Sequence, residues 1–383
     1  MSFDFDAPVE RAGTDSLKWG KYSAEVLPLW VADMDFAVPP AVVDALHERV
    51  AHGVFGYNQP TQGQVDAVVG YLARKFGWTI DPDWIVWLPG LVSALNVACR
   101  AVGAADDAVF TATPIYPPFL SAPRYSGRRV VSVPLLRDST GWLWDFPAVD
   151  GVLRASRAKL FLLCHPHNPT GRVWNEDELW QLALLAEKHD LVICSDEIHN
   201  GLVLSPSCSH RPFATLSPEI AARTITLMAP SKTFNIPGLG CAFAVIPNAR
   251  LRRNFGDAMC GIVPHVNALG LVATEAALTS CDDWQVALLA YLRDNARAVE
   301  RAVTRLSGLE MRSVEATYLA WIDAREFAAG RGIENPARWF EKQGLGLSDG
   351  EDFGAPGFVR LNFGTRRTLL DEALERLTHA TAG

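Results

Sequence analysis

Residues Thr224–Gly240, TITLMAPSKTFNIPGLG, decide the fold. The stretch begins as an uncharged run of β-branched and apolar residues, Thr224–Met228, which reads as a strand buried on both faces. It breaks at Pro230, presents Ser231 and Lys232, and turns through Asn235–Gly240. A lysine at such a strand end, beside small and hydroxylated residues, is partly desolvated. Desolvation disfavours the ammonium and frees the amine for imine formation. Alone, a Ser-Lys pair is common, and a surface lysine is the better reading of it. The neighbouring segments give it meaning, because the same strand-then-polar-turn pattern recurs along the chain.

Ala108–Thr111, Val130–Val133, Lys159–Cys164, Leu191–Ser195 and Ala242–Ile246 also read as buried strands. Helical patterns lie between them, most clearly over Asn175–His189. There Asn175 and Glu178 form a capping box, and Leu179, Leu182, Leu185 and Ala186 an apolar stripe. The alternation predicts an α/β fold, a mainly parallel sheet flanked by helices. Beyond residue 280 the pattern changes. A long charged helix over Trp284–Ser307, a strand over Tyr318–Ile322 and short helices over Pro336–Gln343 and Thr368–Thr378 predict a smaller α+β domain. The Pro-rich N-terminal segment, irregular before a helix over Pro40–His52, is assigned to it. The expected division is a large domain over 50–280 and a small one over 1–49 and 281–383.

A chain of 383 residues that is 49% hydrophobic can bury a large core, which excludes a disordered protein or a small disulfide scaffold. The formal charge of -8, without basic runs, argues against nucleic acid and anionic membrane as partners. No apolar stretch approaches the ~20 residues of a membrane span, and the acidic start MSFDFDAPVERAG does not resemble a secretory leader. Cys99, Cys164, Cys194, Cys208, Cys241, Cys260 and Cys281 show no CxxC spacing and mostly have apolar neighbours. They predict buried free thiols in a reducing compartment, hence a cytoplasmic protein.

Four further segments carry candidate chemistry. Ser195-Asp196-Glu197-Ile198-His199 puts carboxylates at a strand's carboxyl end, where α/β sheets bind ligands; a buried carboxylate there needs a positive partner. Cys164–Arg172, CHPHNPTGR, is a tight turn in which Asn168 can donate an amide hydrogen. His165, His167 and His199 lack the companions of a zinc site, and no metal is expected. Pro89–Leu95 enters a helix whose first N–H groups suit an anion. Phe358–Gly364 buries Arg360 in an apolar strand, either as a sheet-edge ion pair or as a fork for a carboxylate.

Taken together and in this order, these segments resemble fold-type I pyridoxal-phosphate enzymes of the class I/II aminotransferase superfamily. The narrower resemblance is to the MalY/PatB group of cystathionine β-lyase-like C–S lyases. Pro28–Phe36 (PLWVADMDF), Gly53–Tyr57, Pro114–Phe119, Val272–Ala277 and Gly350–Gly354 share it, and it spans roughly residues 20–375. It implies that Lys232 holds pyridoxal 5'-phosphate through an imine and acts as the catalytic base. Asp196 would pair with the ring nitrogen, Asn168 would bond the phenolic oxygen, and Tyr116 would stack on the ring and join the catalytic set. Val92, Ser93 and Ser231 would bind the phosphate, joined by Tyr57 from a second subunit of a homodimer. His199 falls in the cofactor-binding set. Arg360, with the backbone of Trp30 and Ala32, would take the substrate carboxylate.

The implied reaction is β-elimination from cystathionine or a related cysteine S-conjugate, giving thiol, pyruvate and ammonia. An aminotransferase would use the same lysine, and a regulatory binding protein would keep the cofactor as structure only. The chain departs from the family pattern at His165, Gly201, Ser93 and Pro237. It also has Gly240 where many aminotransferases place a phosphate-binding arginine.

Overall fold

In the computed structural model, which describes residues 3–139 and 141–382, seven strands form the central sheet. They are β1 (Ile85–Leu88), β2 (Ala108–Thr113), β3 (Arg129–Pro134), β4 (Leu160–Cys164), β5 (Val192–Asp196), β6 (Thr224–Met228) and β7 (Ala242–Val245). Their spatial order is β1-β7-β6-β5-β4-β2-β3. All run parallel except β7, which is antiparallel to both neighbours. No helix crosses over between β6 and β7, and a parallel return would need one.

The period-two geometry of a strand divides the core. In β4, Leu160, Leu162 and Cys164 point to one face, where they meet Leu95, Ala98 and Phe255. Phe161 and Leu163 point to the other, against Trp174, Leu179 and Leu182. Both faces of the strand are therefore buried, which is why these segments read as continuous apolar runs. The helix Glu176–Lys188 carries the expected capping box, with Asn175 and Glu178 bonding each other's backbone N–H. β1 escapes a sequence reading. It is a four-residue, half-buried edge strand that follows a short 3-10 turn at Pro82–Trp84.

A second, antiparallel sheet has the order β8-β9-β11-β10, with β8 Glu310–Met311, β9 Leu319–Asp323, β10 Ser348–Asp349 and β11 Phe358–Asn362. Arg360 lies in β11 opposite Trp321 on one side and Ser348 on the other, so it is interior and the sheet-edge alternative is excluded. Leu27–Pro28 pairs in parallel with Leu345–Gly346 beside this sheet, whereas the helix Pro40–Ala51 packs on Ala268–Ser280.

One expectation needs correction. Cys99, Cys164, Cys194, Cys241 and Cys281 are buried free thiols, but Cys260 is exposed and Cys208 half-buried. Cys260 sits at the C-cap of the helix Ala249–Met259, where the chain leaves the core. Among the described residues no helix is long and apolar enough to cross a membrane.

Candidate active site

The loops that follow the carboxyl ends of the parallel strands converge on a cavity of about 640 Å³. β4 delivers Asn168, β5 ends on Asp196, and β6 leads to Ser231 and Lys232. Tyr116 follows β2, and the turn after β1 opens the helix Leu91–Ala101. The second sheet and the N-terminal segment close the cavity with Arg360, Trp30 and Ala32; Val92, Ser93 and His199 also line it. Of the residues that the resemblance assigns to cofactor or substrate, Tyr57 stays outside, fully exposed on the surface.

The Lys232 loop is stitched to the N-terminal segment. Asn235 adopts a left-handed φ of 57°. From there its amide donates to the carbonyls of Met34 and Phe36 at 3.0 and 2.8 Å and accepts from Met34 N–H at 2.9 Å. This brings the Ala32 carbonyl to the lysine, whose Nζ donates to it at 2.5 Å. Tyr318 Oη donates to the same carbonyl at 2.9 Å. Sequence reading missed Tyr318 because it begins an apolar run, YLAWI, that looks like core.

Burial sets the electrostatics. It lowers Lys232 to about 8, with Asp33 and Asp196 opposing the shift and Arg360 adding to it. Asp196 is raised to about 7, again chiefly by burial. Its Oδ1 accepts from Ile198 N–H at 3.1 Å. Burial lowers His199 to about 3, helped by Lys232 and Arg360, so its ring is neutral. His165, His167 and His210 are each lowered to about 3 by burial as well. His167 bonds Thr170 and His165 lies against His210, and no metal-binding cluster occurs among the described residues.

Arg360 is 4% exposed, and its fork is held rather than free. One Nη donates to Asn168 Oδ1 at 2.9 Å; the other donates to the Trp30 carbonyl at 2.9 Å and to Ser348 Oγ at 3.2 Å. Its Nε is buried without a partner. The bond from Arg360 orients the Asn168 amide and leaves its N–H₂ for another acceptor. The Asn168 loop is braced by Arg172, which pairs with Glu178 at 2.8 Å and Glu315 at 2.7 Å.

These features fit pyridoxal phosphate. Gly90 gives the helix Leu91–Ala101 no side-chain cap, so its first N–H groups are available to an anion. Asp196 is a buried carboxylate suited to a cationic ring nitrogen. Gly240 has a φ of +57°, a left-handed conformation in which a larger residue would be strained.

The family model for aminotransferase class I and II matches residues 24–377. The chain belongs to that family. Within it, the chain is 36% identical to cystathionine β-lyase PatB of Bacillus subtilis, with 98% of this chain and 99% of the relative covered. Its fold superposes on the crystal structure of OvoB at a TM-score of 0.96, with 46% identity and 100% of both chains covered. The PLP-bound C–S lyase from Staphylococcus hominis matches at a TM-score of 0.95 and 31% identity, covering 100% of this chain and 99% of that one. From Trp30 to Arg360, the candidate site residues of this aminotransferase-family chain lie within the matched span.

Proposed function

We propose that the chain is a pyridoxal phosphate-dependent carbon–sulfur β-lyase, which converts cystathionine or a related cysteine S-conjugate to thiol, pyruvate and ammonia. The observation that carries this reading is the convergence of Lys232, Asp196, Asn168 and Arg360 on one cavity. The full-length similarity to a cystathionine β-lyase and to a C–S lyase supports the choice of reaction.

The cofactor, when bound, supplies an electron sink for the charge that develops at Cα. Every other task falls to the chain. Lys232 would hold the cofactor, and its free Nζ would take the Cα proton of the substrate. Burial tunes that amine to about 8, close to the working pH of a general base. Asp196 holds a proton on the ring nitrogen, and the pairing offsets the cost of its own buried charge. Asn168 donates to the phenolic oxygen, with Tyr116 against the ring face and His199 beside the same wall.

Ser231, Ser93 and the N–H groups near Val92 bind the phosphate. Arg360, fixed by Trp30 O and Ser348, presents Nε to the substrate carboxylate. The Ala32 carbonyl serves Lys232, a different task from carboxylate binding. In this reading residues 50–280 carry the cofactor, and residues 1–49 with 281–383 carry the clamp.

The active form is a homodimer in which Tyr57 completes the neighbour's phosphate site. Exposure of Val54, Phe55 and Tyr57 in one short segment supports it, and gel filtration of an active monomer would refute it. Buried free thiols support a cytoplasmic setting. The test of the assignment is borohydride reduction of the holoprotein followed by peptide mapping. The cofactor's mass should appear on Lys232, and Lys232→Ala should lose turnover. Label on another lysine, or wild-type pyruvate release by the variant, would refute it.

A further inference from the structure

The cavity has an inner lining, which the cofactor and the substrate's own carboxylate take up, and an outer one, which they do not. Lys21, Arg338, Glu341 and Asp352 all line it and are all exposed, so they stand at its mouth. Two are cations and two are carboxylates. None of the four has an ion-pair partner among the described residues, although Arg338 and Glu341 share one helix at neighbouring positions. Both signs of charge are therefore presented at one opening without neutralising each other.

Both sides of the mouth are mounted on the Arg360 fork. On one side Arg360 donates to the Trp30 carbonyl at 2.9 Å, and Trp30 Nε1 donates to the Lys18 carbonyl at 3.1 Å, which fixes the indole. Lys21 Nζ lies over that ring, 4.2 Å from its centroid, and over the Tyr22 ring at 4.7 Å. The rings hold the ammonium in place and leave its charge available. On the other side Arg360 donates to Ser348 Oγ at 3.2 Å. The next residue, Asp349, accepts from Asn335 Nδ2 at 2.6 Å, and Asn335 caps the helix Pro336–Lys342 that carries Arg338 and Glu341. Asp349 is spent on this bond and on the Glu351 N–H. Asp352 follows in the 3-10 turn Gly350–Phe353.

We propose that this mouth is a subsite for a zwitterionic amino-acid head on the sulfur-borne leaving group, with Lys21 and Arg338 taking its carboxylate and Glu341 and Asp352 its ammonium. The placement follows from the inner site. With the substrate's own carboxylate at Arg360 and its Cα beside Lys232, the group on sulfur runs to the open side of the cavity, where these four side chains stand. A leaving group with only a carboxylate meets Glu341 and Asp352 there, and one with only an ammonium meets Lys21 and Arg338. A group carrying both charges satisfies both pairs. The inference deepens the lyase reading and rests on it. It narrows the cysteine S-conjugates to those whose thiol product is itself an amino acid.

The test measures thiol release by the pyridoxal phosphate-loaded enzyme from L-cystathionine, S-(3-carboxypropyl)-L-cysteine, S-(3-aminopropyl)-L-cysteine and S-propyl-L-cysteine. The last three lack the distal ammonium, the distal carboxylate and both. In the wild type kcat/KM should be highest for cystathionine, by about 5- to 10-fold over each of the others. Lys21→Met keeps an apolar stem on the rings. It should cut the ratio of cystathionine to S-(3-aminopropyl)-L-cysteine by about 5-fold, through a higher KM for cystathionine. Arg338→Gln should do the same. Glu341→Gln should instead cut the ratio of cystathionine to S-(3-carboxypropyl)-L-cysteine. Each readout is a ratio, so a general loss of folded or loaded enzyme cancels. S-propyl-L-cysteine used as well as cystathionine by the wild type, or ratios that none of the substitutions moves, would overturn the proposal. No thiol from any of the four compounds would instead overturn the lyase reading, and this proposal with it.

Discussion

Replacing Asp196 with Asn should stabilise the protein without cofactor and weaken it with cofactor. Burial raises the Asp196 carboxyl from 3.8 to about 7. At 1.36 kcal/mol per pH unit, ionising it inside the fold costs about 4 kcal/mol. The sign follows from proton counting. Between about pH 4 and pH 7 the native state holds a proton that the unfolded chain has released, so stability falls as pH rises through that window. The amide introduced by Asp196→Asn keeps an acceptor for Ile198 N–H and carries no charge.

Urea unfolding of cofactor-free protein should therefore show little difference between wild type and Asp196→Asn at pH 4. At pH 8 the variant should be more stable by as much as about 4 kcal/mol. Glu197, also raised to about 7 by burial, titrates in both proteins and affects the comparison less. Adding pyridoxal phosphate should reverse the order at pH 8, because only wild type offers a carboxylate to the ring nitrogen. Turnover of the variant should fall on the order of 10²-fold or more. A stability difference that is the same at pH 4 and pH 8, or a variant that gains as much from the cofactor as wild type, would refute the reasoning.

Other substitutions probe the supports of the site. A Cβ at Gly201 would lie 2.5 Å from Thr233 Oγ1 and 2.8 Å from Gln285 Nε2, so Gly201→Ala should cost about 1–3 kcal/mol in urea unfolding; an unchanged midpoint would show that the neighbours yield. Arg360→Lys keeps the charge but loses the fork that meets Asn168 and Trp30 together, and kcat/KM should fall on the order of 10²-fold. Steady-state kinetics close to wild type would remove Arg360 from the substrate site. Asn175→Ala breaks the capping box above the Asn168 loop and should lower stability by about 1 kcal/mol, read from the urea midpoint.

The central sheet was legible because its strands are buried on both faces, so each appears as an apolar run followed by a polar turn. The direction of β7 was not, since composition does not distinguish a loop return from a helical crossover. Lys232, Asp196 and Asn168 were legible because each sits a few residues beyond a recognisable strand. Asn235 and Tyr318 were not assigned roles, because what places them is long-range contact. Asn235 reaches Met34 across 201 positions, and Tyr318 reaches Ala32 across 286. No local pattern records such contacts. Arg360 was noticed as a charge in an apolar strand, but its interior place between β9 and β10 became clear only from the sheet register.

The most direct measurement incubates the pyridoxal phosphate-loaded protein with cystathionine and a panel of cysteine S-conjugates, and quantifies thiol, pyruvate and ammonia together. The account predicts equal amounts of all three from at least one substrate, with no amino-group acceptor added. Amino-group transfer to a keto acid with no release of thiol would contradict it.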